Sequence, residues 1–127
     1  MAISLTISGD TPSLKNSKQI FRGKGGRPFI TSSNASKEWR SKAVWELLAQ
    51  SKGKRDITYP LRVKLTFWRS TKRRFDLDNG AGGVLDALVE AGIIEDDSFN
   101  HIEALHLLYG GVDKENPRVD IEITKKA

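Results

Sequence analysis

The chain has 127 residues, no cysteine, and 21 Lys+Arg against 16 Asp+Glu, a formal net charge of +5. That length suits a single domain, 1–127, with a modest core. The lack of cysteine excludes disulfides, thiolate zinc sites and cysteine nucleophiles, and with no membrane-length apolar run or secretory leader in view a soluble cytoplasmic protein is expected.

In chain order, Ile3, Leu5 and Ile7 alternate with Ser4, Thr6 and Ser8, which predicts a half-buried strand over residues 2–8. Residues 9–34 are rich in glycine and proline and carry Lys15, Lys18, Arg22, Lys24 and Arg27, so they read as a long basic loop. A helix follows from about Ser36, with Trp39, Ala43, Val44, Leu47 and Leu48 on one apolar face and Gly53 near its end. Lys37, Arg40 and Lys42 lie off that face. Residues 57–68 alternate Leu61, Val63, Leu65 and Phe67 against Arg62, Lys64, Thr66 and Trp68, a second strand. The spacing of Val84, Leu85, Leu88 and Val89 predicts a helix from about Asn79, stopped by Gly92. Strands are expected at 102–109 and 118–124, joined across Gly110-Gly111 and an Asn116-Pro117 turn. The order β-α-β-α-β-β indicates an α/β fold: a two-layer domain in which a mixed sheet carries both helices on one face.

Charge is split along this order. Up to Arg74 there are 17 Lys+Arg against four acids, a net of +13; from Phe75 onward there are four against 12, a net of −8. A half-chain this basic is the footprint of a phosphate backbone, so nucleic acid is the expected partner. Lys15, Lys18, Arg22, Lys72, Arg73 and Arg74 are the candidate nucleic-acid contacts.

The basic half ends on Lys72-Arg73-Arg74-Phe75-Asp76-Leu77-Asp78-Asn79, where cations meet two carboxylates spaced i, i+2. On an extended backbone Asp76 and Asp78 point the same way, and two carboxylates aimed at one point repel unless a cation or proton lies between them. Mg²⁺ takes one or two carboxylates together with water and phosphate oxygens, and the neighbouring cations suit that phosphate. The plainer alternative is a helix N-cap, with Asp78 or Asn79 satisfying free amides. Glu95-Asp96-Asp97 supplies further acids after the second helix, but spacing does not decide whether Asp97 returns to the pair.

The run Asp76-Leu77-Asp78-Asn79, then Leu85-Asp86-Ala87-Leu88, Gly92 and Asp96-Asp97, resembles the signature of the RusA family of Holliday junction resolvases. Pro12-Ser13-Leu14-Lys15-Asn16, the basic loop and a helix with an aromatic near its start extend the resemblance over nearly the whole chain. It implies a RusA-like fold and a homodimer that cuts four-way junction DNA in recombination and repair. The reaction implied is phosphodiester hydrolysis dependent on Mg²⁺, with Mn²⁺ as a substitute. The family's catalytic, metal-holding aspartates fall on Asp76, Asp78 and Asp97. A family lysine four residues after the second aspartate falls on Gly82, a departure that implies either an irregular first helical turn, or loss of the lysine's function or its relocation to Lys72, Arg73 or Arg74.

Other residues carry alternatives. His101 and His106 read as surface or core histidines rather than a zinc pair, since no further ligands accompany them. Asp86 reads as a solvated or paired group. Phe75 fits either the core or a wedge between bases, and Trp68 fits either a stacking platform or a dimer contact. Two rival functions stay open: a branched-DNA-binding protein without cleavage, and a sheet-based RNA-binding module, which needs exposed aromatics on adjacent strands. The Gly23–Gly26 loop lacks Walker spacing.

Overall fold

The computed structural model describes residues 2–13, 18–22, 28–32, 34–51 and 57–125. Its elements are β1 (Ala2–Ser8), β2 (Lys18–Arg22), β3 (Pro28–Ser32), α1 (Asn34–Gln50), β4 (Leu61–Arg69), α2 (Leu77–Glu90), β5 (Ile102–Val112) and β6 (Arg118–Lys125). The main sheet runs β1-β6-β4-β5, and β2 with β3 forms a separate two-stranded sheet. In the main sheet β6 is antiparallel to both β1 and β4, while β4 and β5 are parallel. The expected mixed sheet is therefore present.

Strict alternation explains its two faces. Ile3, Leu5 and Ile7 of β1, Leu61, Val63, Leu65 and Phe67 of β4, and Val119, Ile121 and Ile123 of β6 are buried on one side. On that side they meet Trp39, Ala43 and Leu47 of α1 and Val84, Leu85 and Leu88 of α2 in one core. The opposite face carries Arg62, Lys64, Thr66 and Trp68, and ion pairs such as Lys64 with Glu122 at 3.0 Å cross it. Two layers result, as the pattern required.

Several expectations shift. The basic loop at 9–34 contains the β2–β3 hairpin, in which Ile20 pairs with Ile30 and Phe21 with Phe29. Leu48 does not join the buried face of α1; it is 50% exposed, and Trp45 beside it is 76% exposed. Gly110-Gly111 is not a turn but lies inside β5, at a register shift opposite Phe67 and Trp68. A Cβ on Gly110 would sit 2.6 Å from the Trp68 ring, so the indole needs a bare backbone there. Gly92 does close α2 as expected. It has φ +76, and the amides of Gly92 and Ile93 donate to Val89 and Leu88 at 3.0 Å each, a Schellman ending. Among the described residues no helix is long and apolar enough to cross a membrane.

Candidate active site

The β4-α2-β5 unit sets the site. In open α/β sheets, ligand-binding crevices form at the carboxyl ends of parallel strands. The segment 70–76 leaves β4 at that end and delivers Asp76 to the head of α2. Asp10 holds the segment from the other side: its carboxylate accepts from the Ser70 amide at 2.9 Å and from the Ser70 hydroxyl. Arg69, which ends β4, donates to the Thr11 carbonyl at 2.5 Å and lies 3.7 Å from Asp10. Burial lowers the Arg69 pKa, opposed by the charge of Asp10 and by Tyr109. Its guanidinium stacks 3.9 Å from the centre of the Phe75 ring. Sequence reasoning passed over Arg69 and Asp10. Arg69 stands three residues before the exposed cations and is indistinguishable from them by type.

Phe75 belongs to the core rather than to a wedge. It is partly buried and packs on Phe67 with ring centres 5.2 Å apart. Gly80 makes this possible, because a Cβ there would lie 2.3 Å from the tip of the Phe75 ring. So the residue immediately before Asp76 is anchored by a glycine one turn into α2.

Asp76 occupies the N-cap position with extended backbone (φ −85, ψ 116), yet its carboxylate makes no capping bond. Its main-chain carbonyl accepts from the amides of Asn79 and Gly80 at 3.1 and 3.3 Å. The carboxylate instead receives Arg74 Nε at 3.2 Å and the Asn79 side-chain amide at 3.3 Å. Capping is thus not the work of this carboxylate. Asp78 is exposed in the first turn of α2, where a negative charge favours the helix dipole. Because Leu77 is already helical, the extended-chain argument for a shared direction of Asp76 and Asp78 does not hold; the helix head, not strand alternation, positions them. Lys72 and Arg73 are exposed and form no ion pair among the described residues, and the Arg74 side chain is 88% exposed.

Asp97 lies elsewhere. It follows α2, whose 14 residues span roughly 21 Å, and precedes β5, whose Ile102 pairs with Leu61 at the start of β4. The Glu95 amide donates to the Tyr59 hydroxyl at 3.0 Å, fixing this loop beside the amino end of β4. Asp76 and Asp97 therefore stand at opposite ends of the sheet within one protomer. No group of three or more metal-ligating side chains occurs among the described residues. The donor chemistry fits Mg²⁺ at the pair, but one protomer supplies only two of the three expected carboxylates there. Asp97 is exposed, and its amide donates at 2.9 Å to Asp96. The Ser98 hydroxyl and that amide hold the Asp96 carboxyl below its usual range.

A family model described as Endodeoxyribonuclease RusA matches residues 11–124. The chain belongs to the RusA family. Crossover junction endodeoxyribonuclease RusA of Aquifex aeolicus (strain VF5) is 33% identical over 82 residues, covering 65% of this chain and 63% of that relative. The match thus spans less than two thirds of the relative's length.

Within this RusA-family chain the remaining candidates sort clearly. Gly82 sits inside an unbroken α2, so the first turn is regular despite Gly80, Gly82 and Gly83. Asp86 and Glu90 tie α2 to Arg40 of α1, at 3.8 and 2.6 Å, so Asp86 is structural. His101 packs edge-on to Tyr59 at 4.7 Å and contacts Ser98 at 3.2 Å, while His106 is exposed on the open face of the sheet. Trp68 donates to Asp120 at 3.1 Å and is covered by Arg118 at 4.8 Å, which occupies its stacking face. Of the basic candidates, Lys18 and Arg22 bound β2, and Lys15 lies outside the described residues. Part of the basic half serves the fold. Arg40 and Lys42 hold α1 to α2 and to β1.

Proposed function

We propose that this chain is a structure-selective endodeoxyribonuclease that resolves four-way DNA junctions by metal-dependent phosphodiester hydrolysis, in recombination and repair. The observation that carries the reading is the uncapped Asp76 carboxylate beside Asp78 at the head of α2, flanked by the exposed cations Lys72, Arg73 and Arg74. The RusA family match and the name of the Aquifex relative support the choice of substrate. Asp76 and Asp78 would hold Mg²⁺, or Mn²⁺ in its place. A bound ion would supply activated water and offset charge developing on the phosphoryl oxygens. The chain's own share is positional. Phe75 and Gly80 fix the approach of Asp76, Arg74 balances its charge before DNA arrives, and the free amides of α2 present a positive end to phosphate.

Asp97 is the third carboxylate of this reading, and the length of α2 supports its joining the pair from a second copy of the chain. A homodimer with two-fold symmetry also suits paired cuts in a symmetric substrate. A cytoplasmic location belongs to the same reading.

One observation favours a second reading, a junction-binding protein with weak cleavage: Gly82 stands one helical turn after Asp78, where a lysine would face phosphate. The RNA-binding alternative loses support. Trp68 is the one aromatic on the open face of β4 and β6, and Arg118 covers it. Incubating the protein with a synthetic four-way junction, with and without Mg²⁺, separates the readings. Symmetric nicks that require the ion support the nuclease, binding without nicks supports the second reading, and neither result would overturn both.

A further inference from the structure

Both carboxylate oxygens of Asp76 are engaged by neighbouring side chains. Arg74 Nε donates to Oδ1 at 3.2 Å, and the Asn79 amide donates to Oδ2 at 3.3 Å. The chain itself dictates the first contact. Phe75 packs against the core and Asp76 has extended backbone, so Arg74 and Asp76 project together from the outer side of the segment. The two partners differ in kind. Asn79 is neutral and adds one donor to a carboxylate that can accept about four, which leaves room for a cation. Arg74 carries a permanent charge. A divalent ion bonded to Oδ1 would meet a guanidinium on the same oxygen, and like charges so close repel.

The two arginines that end β4 and precede Asp76 have different freedom. Arg69 is held by the Thr11 carbonyl, by Asp10 and by the Phe75 ring, and only 19% of its side chain is exposed. Arg74 is 88% exposed, and Asp76 is its one ion-pair partner among the described residues. An exposed pair of this kind is weak, whereas a guanidinium grips phosphate through two parallel bonds. A phosphate arriving at the head of α2 can therefore draw Arg74 off Asp76, while Arg69 stays in place.

We propose that Arg74 is a latch on the metal pair: it occupies Asp76 in the free chain, opposes a divalent ion there, and is released by the phosphate backbone of bound DNA. The proposal rests on the reading of Asp76 and Asp78 as the residues that hold the ion. Metal and DNA then bind cooperatively, and because linkage is reciprocal each tightens the other by the same factor. The free chain is kept poorly loaded, and the site is completed on its substrate. Arg74 acts through Asp76 and is a positioning residue.

Two measurements on the full chain test this without cleavage. In EDTA, the Nε–H nuclear magnetic resonance signal of Arg74, assigned with Arg74→Lys, should move in Asp76→Asn and on addition of a short linear duplex. The Arg69 signal should stay in place in both. Electron paramagnetic resonance of free Mn²⁺ then gives the metal affinity of the chain without DNA. Arg74→Ala should tighten it roughly two- to fivefold, the worth of an exposed ion pair, and Arg74→Lys should stay near the wild type. Arg73→Ala removes the same charge from an exposed residue with no ion pair among the described residues, so it should tighten Mn²⁺ less. Equal effects of Arg73→Ala and Arg74→Ala would overturn the latch, as would an Arg74 signal that neither Asp76→Asn nor duplex moves. If Arg74→Ala fails to fold, Arg74→Gln makes the same comparison. The latch and the metal pair fail separately. Mn²⁺ affinity lost in Asp76→Asn but unchanged in Arg74→Ala strikes the latch alone. Mn²⁺ affinity unchanged in Asp76→Asn strikes the metal pair, and the latch with it.

Discussion

Two glycines three residues apart in α2 should respond oppositely to the same substitution. Alanine gains about 1 kcal/mol over glycine in a helix interior. At Gly83 the added Cβ would lie 3.7 Å from Trp39, an ordinary contact, so Gly83→Ala keeps the gain. For a chain of this size that corresponds to roughly 3–5 °C in melting temperature. At Gly80 the Cβ would lie 2.3 Å from the tip of Phe75 and 3.2 Å from Phe67. The Phe75 ring has little room to yield, being held between Phe67 at 5.2 Å and the Arg69 guanidinium at 3.9 Å. Forced repacking of this kind costs about 1–3 kcal/mol, so Gly80→Ala should be neutral to about 2 kcal/mol destabilising once the helical gain is set against it. Because Phe75 precedes Asp76, junction cleavage should fall further than stability. Thermal unfolding by circular dichroism measures the first effect and a four-way junction assay the second. If Gly80→Ala raises the melting temperature as much as Gly83→Ala, the packing argument for the approach to Asp76 is wrong.

Three further outcomes are expected. Gly82→Lys, one turn beyond Asp78, should raise the cleavage rate by roughly 10²–10³, the usual worth of one preorganised charge-assisted contact, with junction affinity nearly unchanged in a gel-shift titration. Arg73→Ala with Arg74→Ala should weaken binding to any branched DNA and reduce the log–log salt slope by about 1.8, at about 0.9 per phosphate contact; an unchanged slope would remove these residues from the footprint. Arg40→Ala breaks the exposed pairs to Asp86 and Glu90 and should cost no more than about 1 kcal/mol in urea unfolding, the upper range for such pairs.

Much of this architecture is legible in the sequence because burial imposes a period. β1, β4 and β6 alternate without interruption, and α2 combines an apolar stripe with Gly92 at its end. The β2–β3 hairpin escapes such reading. Its apolar residues come as adjacent pairs, Ile20-Phe21 and Phe29-Ile30, in five-residue strands flanked by glycine and proline, so period two never develops. Gly110-Gly111 resembles a turn, but its reason is the Trp68 ring across the sheet, a contact no local pattern announces. The candidate site divides in the same way. Asp76 and Asp78 stand out through their spacing and basic neighbours, whereas the place of Asp97 depends on the direction in which α2 and β5 run. That parallel crossover, a property of the whole sheet, separates Asp97 from the pair. Arg69 and Asp10, which fix the segment between β4 and α2, are 59 residues apart in sequence and meet only in the fold.

The central claim is that Asp76 and Asp78 perform the chemistry rather than terminate a helix. The most direct measurement is cleavage and binding of one labelled four-way junction, in Mg²⁺, by the wild type, Asp76→Asn and Asp78→Asn. Asparagine also serves as a helix N-cap, so the fold should persist. Loss of a negative charge beside phosphate should leave binding intact or tighter. Cleavage should vanish in both variants while the bound fraction is maintained. Undiminished cutting by either variant would contradict the account.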